Sequence, residues 1–199
     1  MKIGIFGGSF DPIHNGHVNA AKTFLEELRP DRVLIVPNFQ PPHKDAPQLA
    51  PAQDRLAMCR IAFADDPRFE VSDLEIQRGG PSYTSDTVEE LAERYPEDEL
   101  LLLVGGDMLL SFEEWHHWHR IIEKAALVCA PRTWQEESAL TAKAGELMSE
   151  GADVRILPID VYEISSTQIR QKVREGDDIS YAVPRDVAEY IWDHGLYCR

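Results

Sequence analysis

Basic residues are in short supply. Against 35 aspartates and glutamates the 199-residue chain carries 20 lysines and arginines, for a formal net charge of −15, and a surplus of that size opposes general attraction to DNA, RNA or anionic lipid. Nucleic acid and membrane are therefore not expected as partners. Cysteine is scarce as well. Cys59, Cys129 and Cys198 are odd in number, widely spaced and without a C-x-x-C pair, which fits reduced thiols in a reducing compartment rather than a disulfide framework. Long apolar runs are missing: Leu100 to Val104 falls far short of a membrane span. No charged, apolar, small-residue leader precedes the first apolar stretch, so a cytoplasmic location is expected. No tract rich in Gly, Ser or Pro divides the chain, and no repeat appears. One domain over residues 1–199 is the expectation, closing on a helical end at about 164–199.

What the chain does have is alternation. Short apolar runs at 3–6, 33–36, 69–71, 100–104, 127–130 and 154–157 are separated by stretches of helical period. This predicts an α/β fold, a Rossmann-like doubly wound parallel sheet with helices on both faces. The first helix is expected over 16–28 with Val18, Ala21, Leu25 and Leu28 as its stripe, and the next over about 51–64, carrying Arg55, Met58 and Ile61. A helix capped by Thr84 or Ser85 turns Val88 and Leu91 inward, and Asp107 is placed to accept from ribose hydroxyls or hold a lysine, with capping of a helix at 108–112 as the plain alternative. An acidic, mostly exposed helix follows at 134–150. The last, about 185–193, turns Val187, Tyr190 and Ile191 inward and stops at Gly195.

The most informative stretch is Gly7-Gly8-Ser9-Phe10-Asp11-Pro12-Ile13-His14-Asn15-Gly16-His17. Two glycines after a strand let the backbone turn tightly, and the helix that follows offers unpaired N–H groups to an anion. Neither the G-x-G-x-x-G fingerprint nor a P-loop is present. In their place His14 and His17 share a face if the helix has begun by His14, so both imidazoles can meet one ligand. Phosphate is favoured over metal, because no H-E-x-x-H pattern or third ligand accompanies them; no protein metal site is expected.

Other candidate positions are less specific. His43-Lys44 sits in the proline-marked loop 37–51 and reads equally as a semi-rigid phosphate arm or as solvated surface. Gly79 to Thr84 is a turn opening a helix, for which plain capping is the simpler account. Gly105-Gly106-Asp107 repeats the strand, double glycine, polar theme. Trp115 is either core or a stacking platform. The neighbouring His116, His117 and His119 are not read as a metal site, since the first two would face apart on a helix. Ser165-Ser166-Thr167 starts a helix carrying Arg170, which reads as a second phosphate clamp or as an ordinary N-cap.

His14-Asn15-Gly16-His17 together with Ile164-Ser165-Ser166-Thr167-Gln168-Ile169-Arg170 resembles the paired signatures of the nucleotidyltransferase superfamily. Pro-Pro-His-Lys at 41–44, Pro-Ser-Tyr-Thr at 81–84, Gly-Gly-Asp at 105–107 and the closing Gly-Leu-Tyr are similar to its bacterial nicotinate-nucleotide adenylyltransferase branch, nearly end to end. Ser9 stands where many relatives have Thr and keeps the hydroxyl. The resemblance implies adenylyl transfer from ATP to nicotinate mononucleotide. It assigns His14, His17, Ser165, Ser166 and Arg170 to ATP, beside Gly7, Gly8, Ser9, Phe10, Gly105 and Ile164. Thr84, Trp115 and the His116 backbone fall to the mononucleotide, with Asn38, Ser82 and Tyr83. Asp107 and Lys44 lie between them, and His14, His17, Lys44 and Arg170 are the catalytic set. Mg²⁺ is expected on the ATP phosphates through substrate oxygens. The nearest alternative is a superfamily relative with another acceptor, such as phosphopantetheine; from a different class, a nucleotide sensor without catalysis. Oligomeric state is left open, a homodimer included.

Overall fold

The computed structural model describes residues 1–42, 49–131, 133–158 and 164–198. Strands β1 (Lys2–Gly8), β2 (Arg32–Pro37), β3 (Phe69–Val71), β4 (Glu99–Gly105), β5 (Ala125–Ala130) and β6 (Val154–Ile156) form one sheet in the order β3-β2-β1-β4-β5-β6, and every pairing is parallel. The expected doubly wound sheet is found. Strand order reverses between β1 and β4, which opens a crevice beyond their carboxyl ends.

Side chains alternate across this sheet as the pleat requires. Leu101 and Leu103 of β4 join Val33, Ile35, Phe24, Met58 and Ile169 on one face. Leu100, Leu102 and Val104 join Ile3, Ile5, Val88, Leu91 and Leu140 on the other. The first face is covered by α1 (Asn15–Leu28), α2 (Ala52–Ala62), α8 (Ser166–Glu175) and α9 (Arg185–Asp193), the second by α4 (Thr84–Arg94), α6 (Trp118–Lys124) and α7 (Glu137–Ser149). Two short helices, α3 (Leu74–Arg78) and α5 (Gly106–Leu110), lie beside the crevice. A β-carbon at Gly4 would collide with the Phe24 ring, so the close approach of α1 to β1 depends on glycine there.

Several helix starts differ from the sequence expectation. Helix α1 begins at Asn15 with His14 as its cap, and Phe24 joins Ala21 and Leu25 in the core while Val18 and Leu28 are half-buried. Helix α4 has Tyr83, not Thr84 or Ser85, at the cap position. Helix α5 starts at Gly106, so Asp107 lies inside the first turn instead of capping it. Residues 115–117 form a turn rather than a helix, because His117 is left-handed with φ 51°. The His116 and His117 rings consequently lie 3.8 Å apart instead of facing away from each other. The stretch 134–150 holds a short 3-10 turn and then α7, with Leu140, Ala144 and Leu147 buried. Among the described residues no helix is long and apolar enough to cross a membrane.

Candidate active site

The crevice is a cleft of about 760 Å³ at the β1/β4 switch point. Its floor is the loop that leaves β1. Gly7 and Gly8 end the strand, and Phe10, left-handed at φ 47°, buries its ring edge-on to Phe6 and His17 at 5.3 and 5.2 Å. The Asp11–Pro12 peptide is cis. His14 then caps α1, its Nδ1 accepting the His17 backbone N–H at 3.3 Å. An accepting Nδ1 leaves Nε2 to carry the hydrogen of the neutral ring, making it the donor. The His14 and His17 rings stack at 3.6 Å and 19°, and both line the cleft with Gly7, Gly8, Ser9 and Phe10.

Helix α8 forms the facing wall. Ser165 caps it through a reciprocal pair, its Oγ accepting from the Gln168 N–H at 3.2 Å while the Gln168 side chain accepts the Ser165 N–H at 3.1 Å; this is the capping-box exchange. Ser166 donates its hydroxyl to the Pro12 carbonyl at 2.9 Å. Arg170 donates Nη1 to the Asp11 carbonyl at 2.6 Å, with Asp11 Oδ2 at 3.5 Å. The start of α8 is thus bolted to the glycine loop. Ile164, Ser165, Ser166 and Arg170 all face the same cleft.

The other end of the cleft is built from four segments. Gly105 ends β4 and Asp107 follows in the first turn of α5. Asn38 braces the glycine loop, its backbone N–H on the Gly8 carbonyl at 2.9 Å and its Nδ2 on Ser9 Oγ at 3.2 Å. Ser82 gives its N–H to the Gln40 carbonyl at 2.8 Å and accepts the Phe39 N–H at 2.9 Å. Tyr83 stacks on His116 at 4.1 Å, Thr84 opens α4, and the half-buried Trp115 packs against Phe112 at 5.1 Å. Ser82, Tyr83, Thr84, Trp115 and His116 line this end. Lys44 and His43 lie outside the described residues. Among those described, no group of three or more His, Cys, Asp or Glu could hold a metal ion.

Three residues that organise the site were not singled out from sequence. Arg55 is only 1% exposed; it donates Nε to the Ala50 carbonyl at 3.0 Å, Nη1 to the Ser9 carbonyl at 2.7 Å and Asn38 Oδ1 at 3.2 Å, and Nη2 to the Phe39 carbonyl at 3.2 Å. Burial lowers its pKa, opposed by the nearby charge of Asp11. Asp11, itself buried, accepts at Oδ1 from the Ala50 N–H at 3.0 Å and from Tyr197 at 2.8 Å. Glu75, also buried in the cleft wall, accepts from Thr87 Oγ1 at 2.5 Å. The one available signal was an arginine at the inward period of an amphipathic helix, on the face of Met58.

A parallel sheet of this order, with a glycine loop, a stacked histidine pair at a helix start and an arginine-bearing helix opposite, defines a nucleotide-binding α/β protein built to hold phosphates. The model of the cytidylyltransferase-like family matches residues 5–172. A Thermus thermophilus protein is 45% identical over 199 residues, covering 99% of this chain and 100% of its own, and one from Neisseria meningitidis serogroup B is 41% identical over 200 residues, covering 98% of each. Both bear the name "Probable nicotinate-nucleotide adenylyltransferase". The chain belongs to the nicotinate-nucleotide adenylyltransferase family. The same fold is seen in Plasmodium falciparum nicotinic acid mononucleotide adenylyltransferase, solved with APC and with NaAD. Each superposes with a TM-score of 0.78 at 18% and 19% identity, over 98% of this chain and 96% and 97% of the other.

Proposed function

We propose that the protein transfers the adenylyl group of ATP to nicotinate mononucleotide, releasing pyrophosphate and forming nicotinic acid adenine dinucleotide in NAD biosynthesis, as one cytoplasmic unit over residues 1–199. The observation that carries this reading is the single cleft. It joins the histidine pair and α8 at one end to the 82–84 turn and Trp115 at the other, and so has room for two nucleotides meeting at a phosphate.

The acceptor's phosphate is already ionised at neutral pH, so it attacks the α-phosphorus of ATP without an activating base; the P–O bond to pyrophosphate breaks as the new one forms. The protein's work is alignment and charge stabilisation. His14 and His17 donate to the transferring phosphoryl oxygens, and Arg170, with Ser165 and Ser166 at the start of α8, holds the pyrophosphate side. Gly7 to Phe10, Gly105 and Ile164 shape the ATP end, and the resemblance assigns the Lys44 charge to the phosphates. Asp107 accepts ribose hydroxyls, Asn38 keeps the glycine loop in place, and Ser82 and Tyr83 shape the turn. Trp115 stacks on the pyridine, and the N–H groups at Thr84 and after Trp115 donate to its carboxylate. The donor set suits ATP taken as its Mg²⁺ complex: His14, His17, Ser165, Ser166 and Arg170 would hold the nucleotide, and the ion would supply further neutralisation of phosphate charge.

Pyrophosphate release from ATP plus nicotinate mononucleotide tests the reading, with the amide nucleotide in parallel. The acid is expected to be preferred by at least about 10²-fold in kcat/KM, roughly 2.7 kcal/mol, because the amide sets its own NH₂ against a backbone donor. Equal use of both, or preference for the amide, overturns it.

A further inference from the structure

Glu75 lines the cleft and is 6% exposed, yet the reaction as proposed gives it no part. Its carboxylate anchors the start of α4, accepting from Thr87 Oγ1 on the first turn and a half of that helix. Arg78 completes the clamp, Nη2 on Thr87 Oγ1 at 2.8 Å and Nη1 on Glu90 at 3.2 Å. The turn has little stiffness of its own. Gly79 and Gly80 are both left-handed, at φ 68° and 70°, with open space where a β-carbon would sit, and the Tyr83 cap position carries no side-chain bond. The segment at 39–40 holds Ser82 on one side of the turn, and the Glu75 carboxylate holds the α4 side of Thr84 through Thr87.

We propose that Glu75 is a positioning residue for the acceptor nucleotide: by holding Thr87 it fixes the start of α4 and so aims the backbone donors that read the pyridine substituent. This rests on the functional reading above and adds a residue that touches neither substrate. Burial raises the Glu75 pKa, as Asp86 does, while the bond from Thr87, the Ser82 hydroxyl and the Arg78 charge lower it. A neutral glutamine keeps an acceptor and a donor in the same place and should do the same work.

Steady-state kinetics of Glu75→Ala and Glu75→Gln, on protein shown to be folded by its melting transition, provide the test. Glu75→Ala should raise KM for nicotinate mononucleotide by about tenfold or more, the scale of a displaced buried hydrogen bond, and lower the acid-to-amide ratio, with KM for ATP within about twofold. Glu75→Gln should restore most of both. If Glu75→Ala does not fold, Thr87→Val carries the same expectation, since it removes the hydroxyl and keeps the shape. An unchanged mononucleotide KM, or equal rises for both substrates, overturns the inference. Wild-type protein that fails to use nicotinate mononucleotide defeats the functional reading instead, so the two failures are distinct.

Discussion

The Tyr197 hydroxyl donates to Asp11 Oδ1 at 2.8 Å, joining residues 186 apart in the chain. Asp11 sits in the glycine loop, so the floor of the cleft is held from α8 by Arg170, from the segment before α2 by Ala50 and from beyond α9 by Tyr197. Burial, followed by the charge of Asp11 and its hydrogen bond, pushes the Tyr197 phenol far above its ordinary pKa, which keeps it a donor throughout the working pH range. Tyr197→Phe should therefore lower stability by about 1.5 to 3 kcal/mol, as expected for a hydrogen bond to a buried charge. Urea denaturation checks this: the midpoint should fall with the slope unchanged.

Arg55→Lys should be far from conservative. A lysine cannot place its donors on Ser9, Asn38, Phe39 and Ala50 together, and each acceptor left bare in the interior costs about 1 to 3 kcal/mol. A loss of at least about 3 kcal/mol is expected in thermal or chemical unfolding. Wild-type stability would mean that the fork is not what holds these loops.

His17→Ala should lower kcat by about 10²-fold or more, with a smaller change in KM for either substrate, because its bond strengthens as phosphoryl charge develops. Near wild-type kcat would remove it from the mechanism. His14→Ala, by contrast, should also cost about 1 kcal/mol of stability, since His14 caps α1.

Glu75 gives a pH signature in folding. Its pKa is raised in the folded state, chiefly by burial, so the folded protein binds more protons than the unfolded chain between the ordinary glutamate pKa and the raised one. Stability then falls as pH rises through that window. Glu75→Gln should flatten this descent, gaining relative to wild type at neutral pH and not at pH 4. Parallel unfolding curves from pH 4 to 8 decide it.

The sheet could be read from sequence because a buried parallel strand is a contiguous apolar run, and the histidine pair because its motif is continuous in the chain. The roles of Arg55, Glu75 and Tyr197 could not be, for they lie in partners brought close by folding, Ser9, Thr87 and Asp11; the inward period of Arg55 beside Met58 and the closing Gly-Leu-Tyr mark two of these positions without their partners. Helix starts were misplaced where the cap position carries no side-chain bond, as at Tyr83 before α4 and Gly105 before α5. The turn at 115–117 was read as helix because nothing in the Trp-His-His letters marks His117 as left-handed.

The three thiols divide sharply. Cys59 and Cys129 are fully buried, and burial pushes the Cys129 thiol up to about 12 and the Cys59 thiol higher still, so neither yields thiolate to a reagent in the folded state. Cys198 is exposed, next in the chain to the tyrosine that ties down Asp11. The natural sequence thus offers one position for a maleimide dye, placed where its emission would report the docking of the chain end onto the glycine loop without an engineered cysteine.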